Sequence, residues 1–400
     1  MSLGVSIAVS PTVPSSDNDW PTFRHDLQRT GYTTSTGPTE NSLLWRYETG
    51  AYVDSSPAVV DGRVYFGSGL YSPGYIYCLD ALTGELLWFY STGANYVFSS
   101  PAVVNEKVYI GSGVPKIHCL DALSGDIVWE FEVGGEIFSS PAVTDRKVFF
   151  GSADDKIYCL NADNGDELWA YESDNTVWSS PAVVDGKVYI GSGDGKVYCL
   201  DADTGVELWS YRTGNYTVSS PAVIAGKVYI GSGDTNFYCL DAENGALVWV
   251  HPTGGAIVSS PAAADGNVYI GSRDGKLHCL NANNGSEFWA YETGKSVLSS
   301  PAVAGDKVYF GSGDRKLYCL NADSGELIWS YETENEVFSS PAIVDGRVYF
   351  GSWDGYFYCL GKAAPQGEPE GRGLLPWLTV GVTSAVIVVL LLFYINRSRG

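Results

Sequence analysis

The chain has 400 residues and a formal net charge of −22, with 47 glycines, 27 tyrosines, 12 tryptophans and a single methionine. This composition favours short strands joined by tight turns over helices. The negative charge would repel nucleic-acid phosphates, so we exclude a nucleic-acid partner. Length alone allows either several domains or one closed β-structure, so the domain count depends on internal repetition.

The first segment, residues 1–41, precedes any regular repeat. Its start, Met1 to Pro14, is mildly apolar and contains no basic residue, so it lacks the charged beginning of an export signal. Two interpretations stay open: a signal that is truncated in this sequence, or a chain without one. The stretch from Asp19 to Asp26 is expected to pack on the domain that follows.

A repeat fills residues 42–360. The tripeptide Ser-Ser-Pro occurs eight times, and from Pro101 onward it recurs every forty residues. Forty residues with alternating apolar positions is the size of a four-stranded propeller blade, whereas a helical repeat would need a period of 3.6 residues. The sequence therefore predicts an all-β, eight-bladed propeller.

Turn signals divide each repeat into strands. In the unit that starts at Ser179, the pair Asp185-Gly186 is typical of a type I′ hairpin, and a second turn surrounds Asp194. In the third turn, Asp201 can cap backbone amides while Gly205 takes the left-handed conformation. Each blade is therefore predicted to be an antiparallel meander of four strands.

The array is predicted to close on itself. The last unit ends at Leu360 without a fourth strand, whereas an unmatched strand around Trp45 precedes the first unit. Pairing of these two segments would complete the last blade and remove the open sheet edges that promote aggregation.

The segment from Cys199 to Trp209 reads Cys-Leu-Asp-Ala-x-x-Gly-x-x-x-Trp. This pattern resembles the tryptophan-docking motif of the PQQ-repeat propellers, a family that includes quinoprotein dehydrogenases and BamB-like scaffolds of membrane-protein assembly. Residues 19–26 also resemble the segment before the first blade of such proteins. The resemblance implies that a tryptophan packs between blades with its indole N–H on a neighbouring carbonyl. The tryptophans at this position are Trp45, Trp88, Trp129, Trp169, Trp209, Trp249, Trp289 and Trp329.

The resemblance also implies what a quinone enzyme would need. Such dehydrogenases have two adjacent cysteines, acidic calcium ligands with a catalytic Asp, long inserted loops and often a Cys-x-x-Cys-His haem motif. This sequence has neither adjacent cysteines nor the haem motif. We therefore expect no PQQ, no calcium and no catalytic residue, while binding of a small molecule in the central funnel stays open.

The cysteines and histidines follow the repeat. All eight cysteines share one repeat position, which would place neighbours about 10 Å or more apart, too far for a disulfide or a shared zinc ion. They are predicted to be small buried hydrophobes. His118 and His278 replace a repeat tyrosine of the third strand, and His251 replaces one of the fourth strand. They are predicted to substitute for aromatic rings in packing, and no metal site is expected.

The run before each Ser-Ser-Pro varies while the surrounding frame stays fixed. If the Ser-Ser-Pro strand is innermost, this run lines the rim of the channel with aromatic and charged residues, which suits recognition of peptide or glycan. The candidate binding residues are Tyr52, Asp54, Asn95, Tyr96, Glu136, Asn175, Trp178, Asn215, Tyr216, Lys295, Asn335 and Glu336. The alternative is loop variation together with core packing of Phe98, Phe138, Trp178 and Phe338.

The C-terminal region changes character. Residues 361–373 form a linker rich in Pro, Gly and Glu, and Leu374 to Ile395 is a stretch of twenty-two uncharged residues that predicts a transmembrane helix. The tail, residues 396–400, contains Arg397 and Arg399, which favours a cytoplasmic C-terminus and an extracellular propeller. A tail-anchored protein with a cytoplasmic propeller is the alternative.

Together these features predict a single-pass protein of the cell membrane. Its propeller would act as a non-enzymatic binding or scaffolding module for proteins or polymers of the cell envelope. Two other functions stay open: a PQQ-dependent, dehydrogenase-like enzyme and a purely structural surface protein.

Overall fold

The computed structural model describes residues 19–69 and 73–362. These residues form 33 β-strands and no helix, and accordingly none of them belongs to a helix that could cross a membrane. The predicted membrane span and basic tail, most of the linker and the first 18 residues lie outside the described part.

Thirty-two of the strands form eight four-stranded antiparallel blades, numbered 1–8 in chain order, and β1 (Tyr32–Thr33) adds a fifth, parallel strand to blade 7. The inner strands are β3 (Ala58–Val60), β7 (Ala102–Val104), β11 (Ala142–Thr144), β15 (Ala182–Val184), β19 (Ala222–Ile224), β23 (Ala262–Ala264), β27 (Ala302–Ala304) and β31 (Ala342–Val344). The second strands are β4 (Arg63–Ser68), β8 (Lys107–Gly111), β12 (Lys147–Gly151), β16 (Lys187–Gly191), β20 (Lys227–Gly231), β24 (Asn267–Gly271), β28 (Lys307–Ser312) and β32 (Arg347–Gly351).

The third strands contain the cysteines and the outer strands contain the docking tryptophans. The third strands are β5 (Tyr75–Asp80), β9 (Lys116–Asp121), β13 (Lys156–Asn161), β17 (Lys196–Asp201), β21 (Asn236–Asp241), β25 (Lys276–Asn281), β29 (Lys316–Asn321) and β33 (Tyr356–Gly361). The outer strands are β2 (Ser42–Glu48), β6 (Leu86–Ser91), β10 (Ile127–Glu132), β14 (Glu167–Glu172), β18 (Glu207–Arg212), β22 (Leu247–Pro252), β26 (Glu287–Glu292) and β30 (Leu327–Glu332).

The inner strands of neighbouring blades contact one another around a central channel. The strand after each Ser-Ser-Pro is therefore innermost, as predicted. The predicted closure is also confirmed, because β2 pairs antiparallel with β33 and places Trp45 opposite Cys359. The propeller is thus an eight-bladed ring whose last blade contains strands from both ends of the domain.

The turns have the predicted geometry. Asp185 and Gly186 both have positive φ, at 49° and 70°, as a type I′ hairpin requires. In the third turn, the Asp201 carboxylate accepts hydrogen bonds from the backbone N–H groups of Asp203 (3.1 Å) and Thr204 (2.8 Å). These local hydrogen bonds satisfy backbone groups that the sheet ladder leaves free.

The hydrophobic core lies in the seams between blades. The Trp209 indole of blade 4 donates to the Ala242 carbonyl of blade 5 at 3.1 Å, and the other docking tryptophans of blades 1–6 and 8 make the same contact with the next blade. In blade 7, Trp329 instead donates to the Pro38 carbonyl at 3.4 Å. In the last repeat Lys362 stands at the position of the acceptor alanine, and for Trp329 the lead-in segment supplies the acceptor instead.

The eight cysteines are all free and buried. Each lies on a third strand opposite a docking tryptophan, as Cys199 lies opposite Trp209. Burial raises the pKa of the Cys199 thiol to about 12. The thiol therefore stays protonated at neutral pH and packs as an apolar group.

Candidate functional site

A closed ring of serines surrounds the channel. The backbone N–H of the second serine in each Ser-Ser-Pro donates to the Oγ of the same serine in the next blade, at 2.8–3.0 Å. The last bond, from Ser340 to Ser56, closes the circle. The sequence shows the Ser-Ser-Pro repeat but not the role of the second serine's hydroxyl, because the hydrogen bond that it accepts comes from a neighbouring blade.

The lead-in segment lies in one end of the channel and hydrogen-bonds to the inner strands of successive blades. Trp20 pairs with Val59 of blade 1, and the Leu27 carbonyl accepts from Val183 of blade 4 at 2.9 Å. Strand β1 (Tyr32–Thr33) pairs parallel with β27. Beyond β1, the Thr36 carbonyl accepts a hydrogen bond from Gly346 at 2.9 Å, in the hairpin that joins the first two strands of blade 8. The end of the channel at these hairpins is therefore filled by the chain itself.

Two arginines of the lead-in are almost completely buried, with Arg24 and Arg29 each 1% exposed. Arg29 donates to the backbone carbonyls of Pro181 (2.9 Å) and Pro141 (3.0 Å) on two different blades. Arg24 donates to the Pro261 carbonyl at 2.8 Å. Because the lead-in is not repeated, no pattern in the sequence indicated that these side chains would be internal.

The opposite end of the channel contains a cavity of about 180 Å³, which we call the cup. Its wall is the serine ring, and the Phe23 ring of the lead-in also lines it. Its rim is formed by the residue before each Ser-Ser pair. These rim residues are Asp54, Phe98, Phe138, Trp178, Val218, Val258, Leu298 and Phe338.

Aromatic rings cluster on one side of the rim. Phe98 lies 5.7 Å from Phe138, and Phe138 lies 5.2 Å from Trp178, between ring centroids. On the other side of Asp54, the Tyr52 ring stacks on Trp353 at 4.9 Å with an interplanar angle of 6°. We call this group the aromatic arc; its members are Tyr52, Tyr96, Phe98, Phe138, Trp178, Phe338 and Trp353.

Part of the alternative interpretation was that these rings pack in the core, and the exposure of Trp178 does not agree with that part. Trp178 is 46% exposed, and Phe98, Phe138 and Phe338 are half-buried side chains that line the cup. Trp353 was not among the predicted residues. It occupies the place of Gly193 in the second turn, and this bulky departure from the repeat is the signal that could have identified it.

Asp54 is the one carboxylate among the described residues that line the cup. Its Oδ1 accepts a hydrogen bond from the Trp353 indole at 2.6 Å. Burial raises the pKa of Asp54 to about 6, although the hydrogen bond from Trp353 opposes this shift. The charge at the rim is therefore sensitive to pH in the mildly acidic range.

The other predicted rim residues divide into two groups. Tyr96 donates to Glu136 at 2.6 Å, and Lys295 pairs with Glu336 at 3.7 Å. These contacts link neighbouring blades around the open end of the cup, which we call the mouth. Asn95 is exposed, and Asn175 and Asn215 accept hydrogen bonds from the next residue of their own loops, Thr176 and Tyr216. Two residues contact the second turn of the following blade: Tyr216 lies beside Gly233, and Asn335 donates to the Trp353 carbonyl.

The cup does not fit a calcium-bound quinone. Calcium requires six to eight oxygen ligands, several of them carboxylates, whereas the cup offers only Asp54, whose Oδ1 already accepts from Trp353. The cysteines lie in the blade seams on separate third strands, so no adjacent pair faces the channel. The described residues that line the cup therefore do not supply the ligand set of a calcium-bound quinone.

The histidines all lie outside the cup. His25 packs edge-on against Trp20 with ring centroids 5.0 Å apart, and His118 contacts Ser112 (3.0 Å) and Glu130 (2.8 Å) in blade 2. His251 and His278, predicted as separate packing residues, meet at the seam between blades 5 and 6.

A family model described as the β-propeller of a β-alanine-activating enzyme matches residues 184–372, slightly less than half of the chain. A search of curated proteins finds no match. Solved structures share the fold at low sequence identity. BamB from Moraxella catarrhalis is 19% identical with a TM-score of 0.70, and the match covers 81% of this chain and 100% of that one.

Two further structures have the same architecture. The quinohemoprotein alcohol dehydrogenase from Comamonas testosteroni is 19% identical with a TM-score of 0.73, covering 91% of this chain and 83% of its own. A computationally designed protein, Ika8, is 20% identical with a TM-score of 0.70, covering 82% of this chain and 100% of its own. At such identities the likeness shows the propeller fold, which occurs here in an enzyme, in BamB and in a designed protein.

Proposed function

We propose that this protein is a membrane-anchored binding module whose aromatic arc engages an exposed segment of a partner protein at the channel mouth. The observation that carries the proposal is the arc itself, which holds large rings around a small cup with Trp178 46% exposed. Tryptophan and tyrosine supply much of the binding energy in protein interfaces because they bury a large area with few rotatable bonds.

The chemistry of the cup favours binding over catalysis. Each serine of the ring accepts a backbone hydrogen bond, and the described residues lining the cup include no histidine and no lysine. A serine nucleophile needs an adjacent base to remove its proton, and the one carboxylate that lines the cup, Asp54, already accepts a hydrogen bond from the Trp353 indole. Because the lead-in fills the far end, a ligand would enter and leave by the mouth.

The membrane anchor in this proposal rests on the uncharged stretch from Leu374 to Ile395 and on the basic tail behind it. The charge difference across that stretch favours an extracellular propeller. A linker rich in Pro and Gly, residues 361–373, would give the propeller freedom to meet partners in the same envelope.

The test is a pull-down from intact cells that express the full chain with its native upstream region. Trp178→Ala should lower recovery of a specific partner by about 30-fold, the effect of losing a hot-spot residue worth about 2 kcal/mol. Leu208→Ala is the matched control, because Leu208 is 47% exposed but lies on outer strand β18 of blade 4. Equal recovery with both variants would overturn the proposal.

Protease treatment of the same cells tests the orientation of the propeller. Added protease should cut the propeller on intact cells, and a protected propeller would contradict the extracellular orientation.

A separate experiment tests the dehydrogenase alternative. Purified protein incubated with PQQ and Ca²⁺ should acquire no quinone absorbance. Stable uptake of the quinone with alcohol oxidation would favour the dehydrogenase instead.

A further inference from the structure

Three side chains from two blades converge at one seam on the outside of the propeller. His251 lies on outer strand β22 of blade 5, whereas His278 and Glu287 lie on β25 and β26 of blade 6. Their ligating atoms all lie within 4.8 Å of one another. Glu287 Oε2 is 2.7 Å from His278 Nδ1 and 3.6 Å from His251 Nε2.

The remaining nitrogen of each imidazole already has an acceptor. His278 Nε2 lies 3.1 Å from the Asp274 carboxylate, and His251 Nδ1 lies 3.1 Å from the Gly285 carbonyl. If these nitrogens carry the protons, then His278 Nδ1 and His251 Nε2 both present a lone pair toward Glu287. Metal-binding histidines nearly always have such outer partners, which fix the tautomer and the ring orientation.

We propose that His251, His278 and Glu287 bind a divalent transition-metal ion of the Zn²⁺ class, which joins blade 5 to blade 6. Two imidazoles and one carboxylate form a donor set that suits Zn²⁺ and leaves a fourth position for water or an external ligand. Metal–ligand bonds of about 2.0–2.1 Å would place the donor atoms about 3.3 Å apart. Small rotations of the His251 side chain, which is 19% exposed, and of the Glu287 side chain, which is 38% exposed, provide the adjustment.

The seam between blades 3 and 4 shows the same frame without the histidines. There Tyr171 donates to Glu207, Tyr198 donates to Asp194 at 2.5 Å, and the two tyrosine rings lie 5.4 Å apart. Tyrosine thus makes the same carboxylate contacts in ordinary packing. At the 5/6 seam, both tyrosines are replaced by a residue that binds metals far better.

A second comparison concerns a seam that has one histidine in place of two. At the 1/2 seam, His118 occupies the position of His278, but the ring that faces it across the seam is Tyr90, at 5.6 Å. Only one imidazole is therefore available beside Glu130. This seam provides a natural control within the same molecule.

The test uses full-length protein without a histidine tag and Co²⁺ as a spectroscopic probe that occupies zinc sites. We expect one equivalent of Co²⁺ to bind with visible d–d absorption and to be displaced by Zn²⁺. The double variant His251→Tyr/His278→Tyr recreates the 3/4 seam and should fold, which circular dichroism checks, but lose this absorption. His118→Tyr should keep it.

Two further variants test the outer partner of His278 and the requirement for two histidines. Asp274→Asn should weaken Co²⁺ affinity by about 10-fold or more, as expected when the outer partner of a ligating histidine is lost. Tyr171→His/Tyr198→His should create a second Co²⁺ site at the 3/4 seam. Absence of Co²⁺ and Zn²⁺ binding by the wild-type protein, or binding that survives in His251→Tyr/His278→Tyr, would overturn the proposal.

Discussion

Tryptophan docking depends on the glycine of the third turn in the next blade. Gly205 has a φ of +71°, and a Cβ at this position would lie 2.7 Å from Cδ2 of Trp169. The glycine is therefore required twice, once for its backbone conformation and once for the space under the indole ring. The sequence pattern indicated the first requirement, whereas the second became visible only with the neighbouring blade in place.

Gly186 separates the two effects. Its φ is +70°, but a Cβ added to this residue would meet no atom within 4 Å, because the hairpin faces solvent. Both Gly→Ala changes should cost about 1 kcal/mol for the left-handed conformation, and Gly205→Ala should cost about 1–3 kcal/mol more for overpacking. Urea-induced unfolding followed by tryptophan fluorescence measures the difference, and equal losses would contradict it.

Asp54 should make stability depend on pH. Its pKa is raised to about 6 in the folded protein, against about 3.9 for an unfolded chain, so between these values the folded state binds more protons. Stability should then fall as pH rises from about 4 to 6, by roughly 3 kcal/mol in total. Relative to wild type, Asp54→Asn should lack this loss in unfolding measured across that range.

Trp353→Phe tests the cause of the shift. Removing the indole donor takes away the hydrogen bond that stabilises the Asp54 carboxylate, so the upper end of the pH window should move to higher pH. A constant stability difference between wild type and Asp54→Asn at every pH would show that Asp54 does not titrate in this range.

At the scale of elements, the lead-in segment behaves as an internal ligand of the ring. Its backbone bonds to several inner strands, and Arg29 reaches carbonyls of blades 3 and 4. The strands and hairpins were predictable because each is repeated with the same turn residues. The path of the lead-in was not predictable, because it occurs once and has no periodicity.

Arg29→Ala should lower the free energy of unfolding by at least about 3 kcal/mol. Each hydrogen bond to a charged group contributes about 1.5–3 kcal/mol, and the truncation leaves buried carbonyls without a donor. Arg46→Ala is the control, because Arg46 is exposed and its guanidinium lies over the Tyr356 ring at 4.4 Å. Thermal unfolding compares the two, and similar midpoints would show that the lead-in contributes little.

At the scale of the whole molecule, the ring and its closure followed from counting repeats and noticing one strand too many at the start. The position of the mouth also followed, since variable residues stood beside a fixed frame. Apart from the tryptophan docking, which the resemblance implied, the contacts between blades did not follow from the sequence. The serine ring, the role of Trp353 and the meeting of His251 with His278 all require one blade to be set against its neighbour.

The closure of the ring has a consequence for the order of events during synthesis. Strand β2 is the first blade strand to leave the ribosome, but its partner β33 is made only at the end of the eighth repeat. Until then β2 has no partner strand, and the hydrogen bond from Ser340 to Ser56 that closes the serine ring cannot form. A prematurely terminated chain would therefore present no finished mouth, so only full-length molecules could compete for the partner.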